Sequence, residues 1–161
     1  MLSKFFVALA VAATLAAATP RCTAAQPEVP APGAKDRCAV CGMFVAQFPD
    51  WVAAAVFRDG TIAYFDGPKD LFRYAFAVET FDSSRKADQI KTLWVTEYYT
   101  TTLMPAAELF FVVGSDVLGP MGHELVPVRG QAAAQTFSVD HHGSAVHSFK
   151  EITPAVLSGM P

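Results

Sequence analysis

The chain has 161 residues, 52% of them hydrophobic and 17% charged, with a formal net charge of −3 at neutral pH. That length suits one domain able to bury a core and requires no second one. Lysines and arginines are scattered, with only Arg85 and Lys86 adjacent, so there is no basic footprint for nucleic acid or acidic lipid, and both partner classes are disfavoured.

Residues 1–25 read as a secretory signal peptide. Lys4 supplies a positive start, Phe5 to Ala18 form an unbroken apolar run, and Pro20 followed by Thr23, Ala24 and Ala25 places cleavage after Ala25. The run is too short to span a bilayer and no other segment approaches the needed length, which argues against a membrane anchor. Cys22 is preceded by Arg21, with Thr19 before that, an unfit setting for lipid modification. Cleavage removes Cys22, Lys4 and Arg21, shifting the formal charge from −3 to −5. It leaves Cys38 and Cys41 as the two thiols of an exported chain, in a compartment that favours disulfides. Residues 26–36 follow as a linker, whose "QPEVPAPGA" favours an extended, solvated tether.

The domain proper is expected over residues 37–158. It starts with "DRCAVCGMF", in which Cys38 and Cys41 fit a small disulfide, a redox pair or two ligands of one metal. Structural zinc asks for four protein ligands, and the exported chain has no second cysteine pair. A thioredoxin-like motif would open a helix after a central strand, whereas this one sits between a linker and a hairpin. If the chain is extended after the turn, Cys41 and Met43 lie at i and i+2 and project to one side. Thiolate with thioether is a soft pair suited to Cu(I).

Two β-leaning runs around Asp59-Gly60 predict a hairpin with strands near 52–58 and 61–66. "PKDLFRYAFAVE" predicts a helix that packs Leu71, Phe72, Ala75, Phe76 and Val78 onto that hairpin. "KTLWVTEYYT" returns to strand character. A second cycle follows, with strands in "ELFFVVGS" and "HELVPV", a helix in "GQAAAQTFSV" and a closing strand in "SAVHSF". The expected fold class is α+β, a single compact domain of two ββαβ-type halves.

The turn "GPMGH" holds Met121 between Pro120 and Gly122, where it serves either as an apolar plug or as a further soft ligand, with His123 as a nearby imidazole. His142 is the better of the later histidines, although loop histidines are more often solvated. Asp66 and Glu97 read as solvated strand ends before acid–base groups. No nucleophile elbow, HExxH, P-loop or dinucleotide fingerprint occurs, so no enzyme is indicated.

"CAVCGMF", "WVAAAVFRDGTIAYFDGPKDLF", "VVGSDVLGPMGHELVPV" and "HHGSAVHSFKEI" stand in this order between Arg37 and Ile152. Together they resemble the signature blocks of the NosL family, copper-binding accessory factors for nitrous oxide reductase. The resemblance implies a periplasmic Cu(I) metallochaperone with a fold related to organomercury lyase. Its implied partners are a copper-donating assembly factor and a copper-accepting periplasmic enzyme, nitrous oxide reductase. Cys41 and Met43 match the family's CGM ligands and Met121 the methionine of its GPMG block, with Cys38, Met121, His123 or an external donor left for a third position. Many members are lipoproteins, a feature from which Cys22 departs. The competing reading is a periplasmic thiol-disulfide oxidoreductase using Cys38 and Cys41; a lyase-like enzyme rests on fold analogy alone.

Overall fold

Two ββαβ units in tandem account for most of the folded chain. The computed structural model describes residues 29–160, so the expected signal peptide and residues 26–28 of the expected linker lie outside the described residues. In the first unit β1 (Ala53–Phe57) and β2 (Ile62–Phe65) form the hairpin. Asp59-Gly60 shapes its turn, with Gly60 at φ +85° in the left-handed region that glycine enters without cost. The Asp59 carboxylate accepts from the Thr61 N–H at 3.0 Å and its hydroxyl at 2.7 Å, which fixes the exit from the turn.

Next come α1 (Pro68–Phe76), α2 (Val78–Phe81), β3 (Ile90–Thr96) and β4 (Leu103–Pro105), giving an antiparallel sheet of order β2-β1-β3-β4. The second unit holds β5 (Phe110–Val113), a small ladder of β6 (Leu118–Gly119) and β7 (Gly122–His123), β8 (Val126–Val128), α3 (Gln131–Asp140) and β9 (Ala145–Ser148). Its sheet order is β8-β5-β9, also antiparallel, so the first strand of each unit is central in both. A short α4 (Pro154–Ser158) closes the domain, which is α+β as expected. No helix among the described residues is long and apolar enough to cross a membrane.

The helical segment differs from expectation in two respects. It breaks at Ala77, whose φ of −144° and ψ of 44° lie outside the helical region, so α1 and α2 are separate pieces rather than one helix. Its buried side also includes Tyr74, while Phe76 is 44% exposed and stacks on Phe72. The first turn of α1 is wholly buried, Lys69 and Asp70 included, because the helix packs on the hairpin as expected and Glu124 of the second unit covers its start.

β5 explains how one strand serves two cores. Its alternation sends Phe111 and Val113 into the main core with Phe65, Leu71, Tyr74 and Leu125, and Val112 into a smaller one with Val126, Ala134 and Phe137 under α3. Burial on both faces is why "FFVV" reads as an unbroken apolar run. Phe72 of α1 meets Phe111 edge to face at 5.2 Å and Phe149 at 5.8 Å, joining the units through an aromatic contact. A polar joint lies at the end of β3, where buried Glu97 accepts from the Thr100 N–H and hydroxyl and from the Arg129 N–H beyond β8. Burial pushes the Glu97 carboxyl up, and those hydrogen bonds outweigh it and hold it below the ordinary value. The sequence reading of Glu97 as a solvated strand end is therefore corrected: it is a buried anchor.

Truncating Phe111 removes the ring shared between α1 and the second sheet. Phe111→Ala is expected to lower unfolding free energy by about 3–5 kcal/mol in urea titration; a loss below about 1 kcal/mol would mean that the two units are not joined through it.

Candidate metal centre

Cys38 to Met43 form a tight knuckle. The Cys38 N–H donates to the Met43 carbonyl at 2.8 Å and the Gly42 N–H to the Cys38 carbonyl at 2.9 Å, with Arg37 and Phe44 paired at the base. Gly42 has φ +78°, a left-handed conformation that reverses the chain there. The expected extended path from Cys41 to Met43 is thus not adopted, and the i, i+2 argument for their common direction does not hold. Arg37 braces the turn from outside, donating to the Gly42 carbonyl at 2.8 Å while its guanidinium lies 3.9 Å from the Phe44 ring centre.

The knuckle rests on the edge of β2 through a bond from the Ala39 N–H to the Tyr64 carbonyl. Just beyond that edge the chain passes from strand to helix through Asp66-Gly67-Pro68-Lys69-Asp70, with Pro68 at the first helical position, where its missing N–H costs nothing. This corner presents two carboxylates to the knuckle. The Cys41 thiol donates to Asp66 at 3.3 Å and the Cys38 thiol to Asp70 Oδ2 at 3.4 Å. Both cysteines are free, and one donor atom from each of Cys38, Cys41, Asp66 and Asp70 lies within 4.8 Å of the others. Cys38 is 3% exposed and Cys41 is half-buried, so one thiol is sealed and the other faces the surface. Burial pushes the Cys38 thiol far up, with a neighbouring carboxylate adding to it, and burial likewise raises Cys41. Each thiol stays protonated at neutral pH until something displaces the proton.

A second segment is latched to the same corner. Buried Glu124 accepts from the Lys69 N–H at 2.5 Å and the Leu125 N–H at 2.9 Å, placing a carboxyl oxygen on the first turn of α1. In return the Lys69 ammonium donates to the carbonyls of Met121, at 3.0 Å, and His123. Gly67 is required by the fit, since a Cβ there would stand 2.2 Å from Glu124 Oε2. The β6–β7 ladder is held in this way beside the corner that carries the carboxylates.

Of the residues singled out from sequence, Cys38 and Cys41 are brought together. Met43 is half-buried at the end of the knuckle, and its carbonyl serves the turn. Met121 is 44% exposed on the β6–β7 turn. His123 is half-buried, and its Nδ1 is buried without a hydrogen-bond partner. His142 is exposed just after α3 and stands outside the cluster. Asp66, read as a solvated strand end, is instead buried against Cys41, and Asp70 was missed. Their sequence signal is the pair of aspartates four residues apart around Gly-Pro, which places both at one end of a helix.

A family model described as NosL matches residues 29–157. The fold is similar to that of a solved protein described as the copper chaperone NosL from Shewanella denitrificans, with a TM-score of 0.65 and 24% identity over 80% of this chain and 97% of that one. No curated protein matches the chain.

Burial pushes the Glu124 carboxyl up from its ordinary 4.5 to about 8, against the two N–H bonds and the charge of Lys69. A carboxyl whose native pKa exceeds its unfolded one stabilises fully only below the unfolded value, and that contribution is lost as pH rises toward the native one. Urea stability is expected to fall between about pH 4.5 and 8, and Glu124→Gln to flatten that fall; parallel profiles would contradict the assignment. Lys69→Met frees two carbonyls of the latch, and hydrogen exchange at residues 118–123 should quicken by about tenfold. Unchanged exchange would show that the ammonium does not hold the turn.

Proposed function

The chain belongs to the NosL family, and from that premise we propose that it is a carrier whose cargo is Cu(I). The observation that carries this reading is the convergence of two free thiols on one edge of the domain, one of them accessible. Thiolate and thioether donors favour a soft monovalent ion, and two- or three-coordination leaves it open to a recipient's ligands. Cys41 and Met43 hold the cargo in this reading, with Cys38, Met121 or His123 as third donor. Cys38 is supported by its place in the donor cluster, Met121 by its exposure on the latched turn, and His123 by its unpartnered Nδ1.

The carrier is exported by its amino-terminal signal peptide and works in the periplasm, on a folded domain of residues 37–158 behind the 26–36 linker. It receives copper from an assembly factor and passes it by stepwise ligand exchange to a copper-accepting enzyme, nitrous oxide reductase; no bond of a substrate is made or broken. The similarity to a protein described as a copper chaperone supports this reading. Thiol-disulfide chemistry fits less well. A reactive thiol needs a lowered pKa, commonly at a helix start, whereas these two thiols lie in a turn and burial raises both.

Anaerobic Cu(I) competition titration of the reduced protein tests the proposal. One Cu(I) per chain is expected, with affinity reduced about 100-fold or more by Cys41→Ser and about tenfold by Met43→Leu. Affinity unmoved by Cys41→Ser would overturn the reading.

A further inference from the structure

We infer that the knuckle carries a reversible disulfide lock: an external disulfide oxidises Cys38 and Cys41 to a bond between them, and a dithiol partner must break that bond before the chain takes cargo. Exported chains meet such oxidants. The bond itself is independent of the copper reading, while its effect on cargo rests on that reading. It is a state of this chain and not a turnover on other proteins.

Backbone geometry permits the bond. Cys38 and Cys41 stand three residues apart on one turn, closed by the Gly42 N–H to the Cys38 carbonyl at 2.9 Å and by the Cys38 N–H to the Met43 carbonyl at 2.8 Å. In such a turn Cα atoms three apart are about 5 Å from each other, and a disulfide spans about 4.4–6.8 Å between Cα atoms. The two Sγ atoms lie within 4.8 Å of each other, so joining them takes side-chain rotation and no new backbone path. No third cysteine occurs among the described residues, so each of the two has the other as its intramolecular partner there.

Access sets the order of steps. Cys41 is half-buried and reachable, whereas Cys38 is 3% exposed. Cys41 sulfur attacks the external disulfide, forms a mixed disulfide and releases one thiol of the oxidant. Cys38 sulfur then attacks Cys41 Sγ, closes the intramolecular bond and releases the second thiol. Asp66 Oδ2, 3.3 Å from Cys41 Sγ, and Asp70 Oδ2, 3.4 Å from Cys38 Sγ, stand where the two thiol protons leave. Two protons and two electrons pass from the cysteine pair to the oxidant, which ends as two thiols. A dithiol reverses the sequence by attacking Cys41 Sγ and expelling Cys38.

Oxidation disturbs the fold little. Sulfhydryl groups are weak donors, and Asp70 keeps its contact with Arg73 at 3.3 Å once Cys38 is withdrawn. Arg37 still closes the turn from outside through the Gly42 carbonyl. Both anionic sulfur donors vanish together, because it is the thiolate that binds a soft ion.

The test treats the metal-free exported chain with oxidised glutathione and then with dithiothreitol. Expected are a monomer lighter by two hydrogens in intact-mass measurement, no thiol titratable in denaturant, an unchanged far-ultraviolet circular dichroism spectrum, and recovery of both thiols on reduction. Cys38→Ser should stop at a glutathione adduct on Cys41, while Cys41→Ser, whose remaining sulfur is buried, should react about tenfold more slowly. In anaerobic Cu(I) competition the oxidised chain should bind about 100-fold more weakly than the reduced one, or worse. Persistence of both thiols, a lasting glutathione adduct on the unsubstituted chain, a disulfide-linked dimer, or equal Cu(I) affinity in the two states overturns the inference. A formed disulfide beside absent Cu(I) binding by the reduced chain would overturn the copper reading and leave the bond standing.

Discussion

A carboxyl group sealed inside the protein, Glu124, closes on the first turn of α1, and the arrangement of the thiol-bearing edge depends on that contact. The Glu124 bond to the Lys69 N–H fixes where the helix begins, and the helix start fixes where Asp66 and Asp70 stand. Those two aspartates in turn meet the thiols of a knuckle that also packs on the main core through Cys38 and Val40. The reciprocal bonds from the Lys69 ammonium carry the same restraint to the turn holding Met121. A short helix would be marginal alone, so its buried first turn is stabilised by packing on the strands of its own unit and by Glu124 of the second rather than by its own hydrogen bonds.

The tandem organisation follows from this dependence. Each ββαβ unit offers a small antiparallel sheet with one helical crossover, and neither contains the whole centre. The first unit contributes the corner, the segment ahead of it the thiols, and the second unit the acid that anchors the corner and the ladder that flanks it. The aromatic contact from Phe72 to Phe111 and the Glu97 joint keep the units in register, so the polar latch does not bear the association alone.

Periodicity and turn chemistry made most of the fold legible. Asp59-Gly60 marked the hairpin, and the second cycle of strands and helix fell where the apolar runs placed it. Elements of two or three residues, β4, β6 and β7, are below what a pattern of alternation can reveal. The exposure of Phe76 and the burial of Lys69 and Asp70 reverse what hydrophobicity alone dictates, since the position of the second unit decides which side of α1 is covered. At the centre, the cysteines were legible because adjacent thiols are rare and chemically distinctive. Asp66 and Asp70 were not, because a carboxylate at a strand end looks the same in sequence whether it faces water or sulfur. The path from Cys41 to Met43 departs from expectation for a backbone reason: Gly42 turns the chain where an extended run was expected.

The unequal access of the two thiols has a kinetic meaning. An incoming nucleophile reaches Cys41 first, while Cys38 lies behind it with Asp70. An ion held between them therefore has a single doorway, and its bonds open in sequence from the rim inward. In the proposed carrier the innermost sulfur would retain its hold until a replacement bond had formed outside, and hand-over would proceed without the ion ever escaping into bulk water.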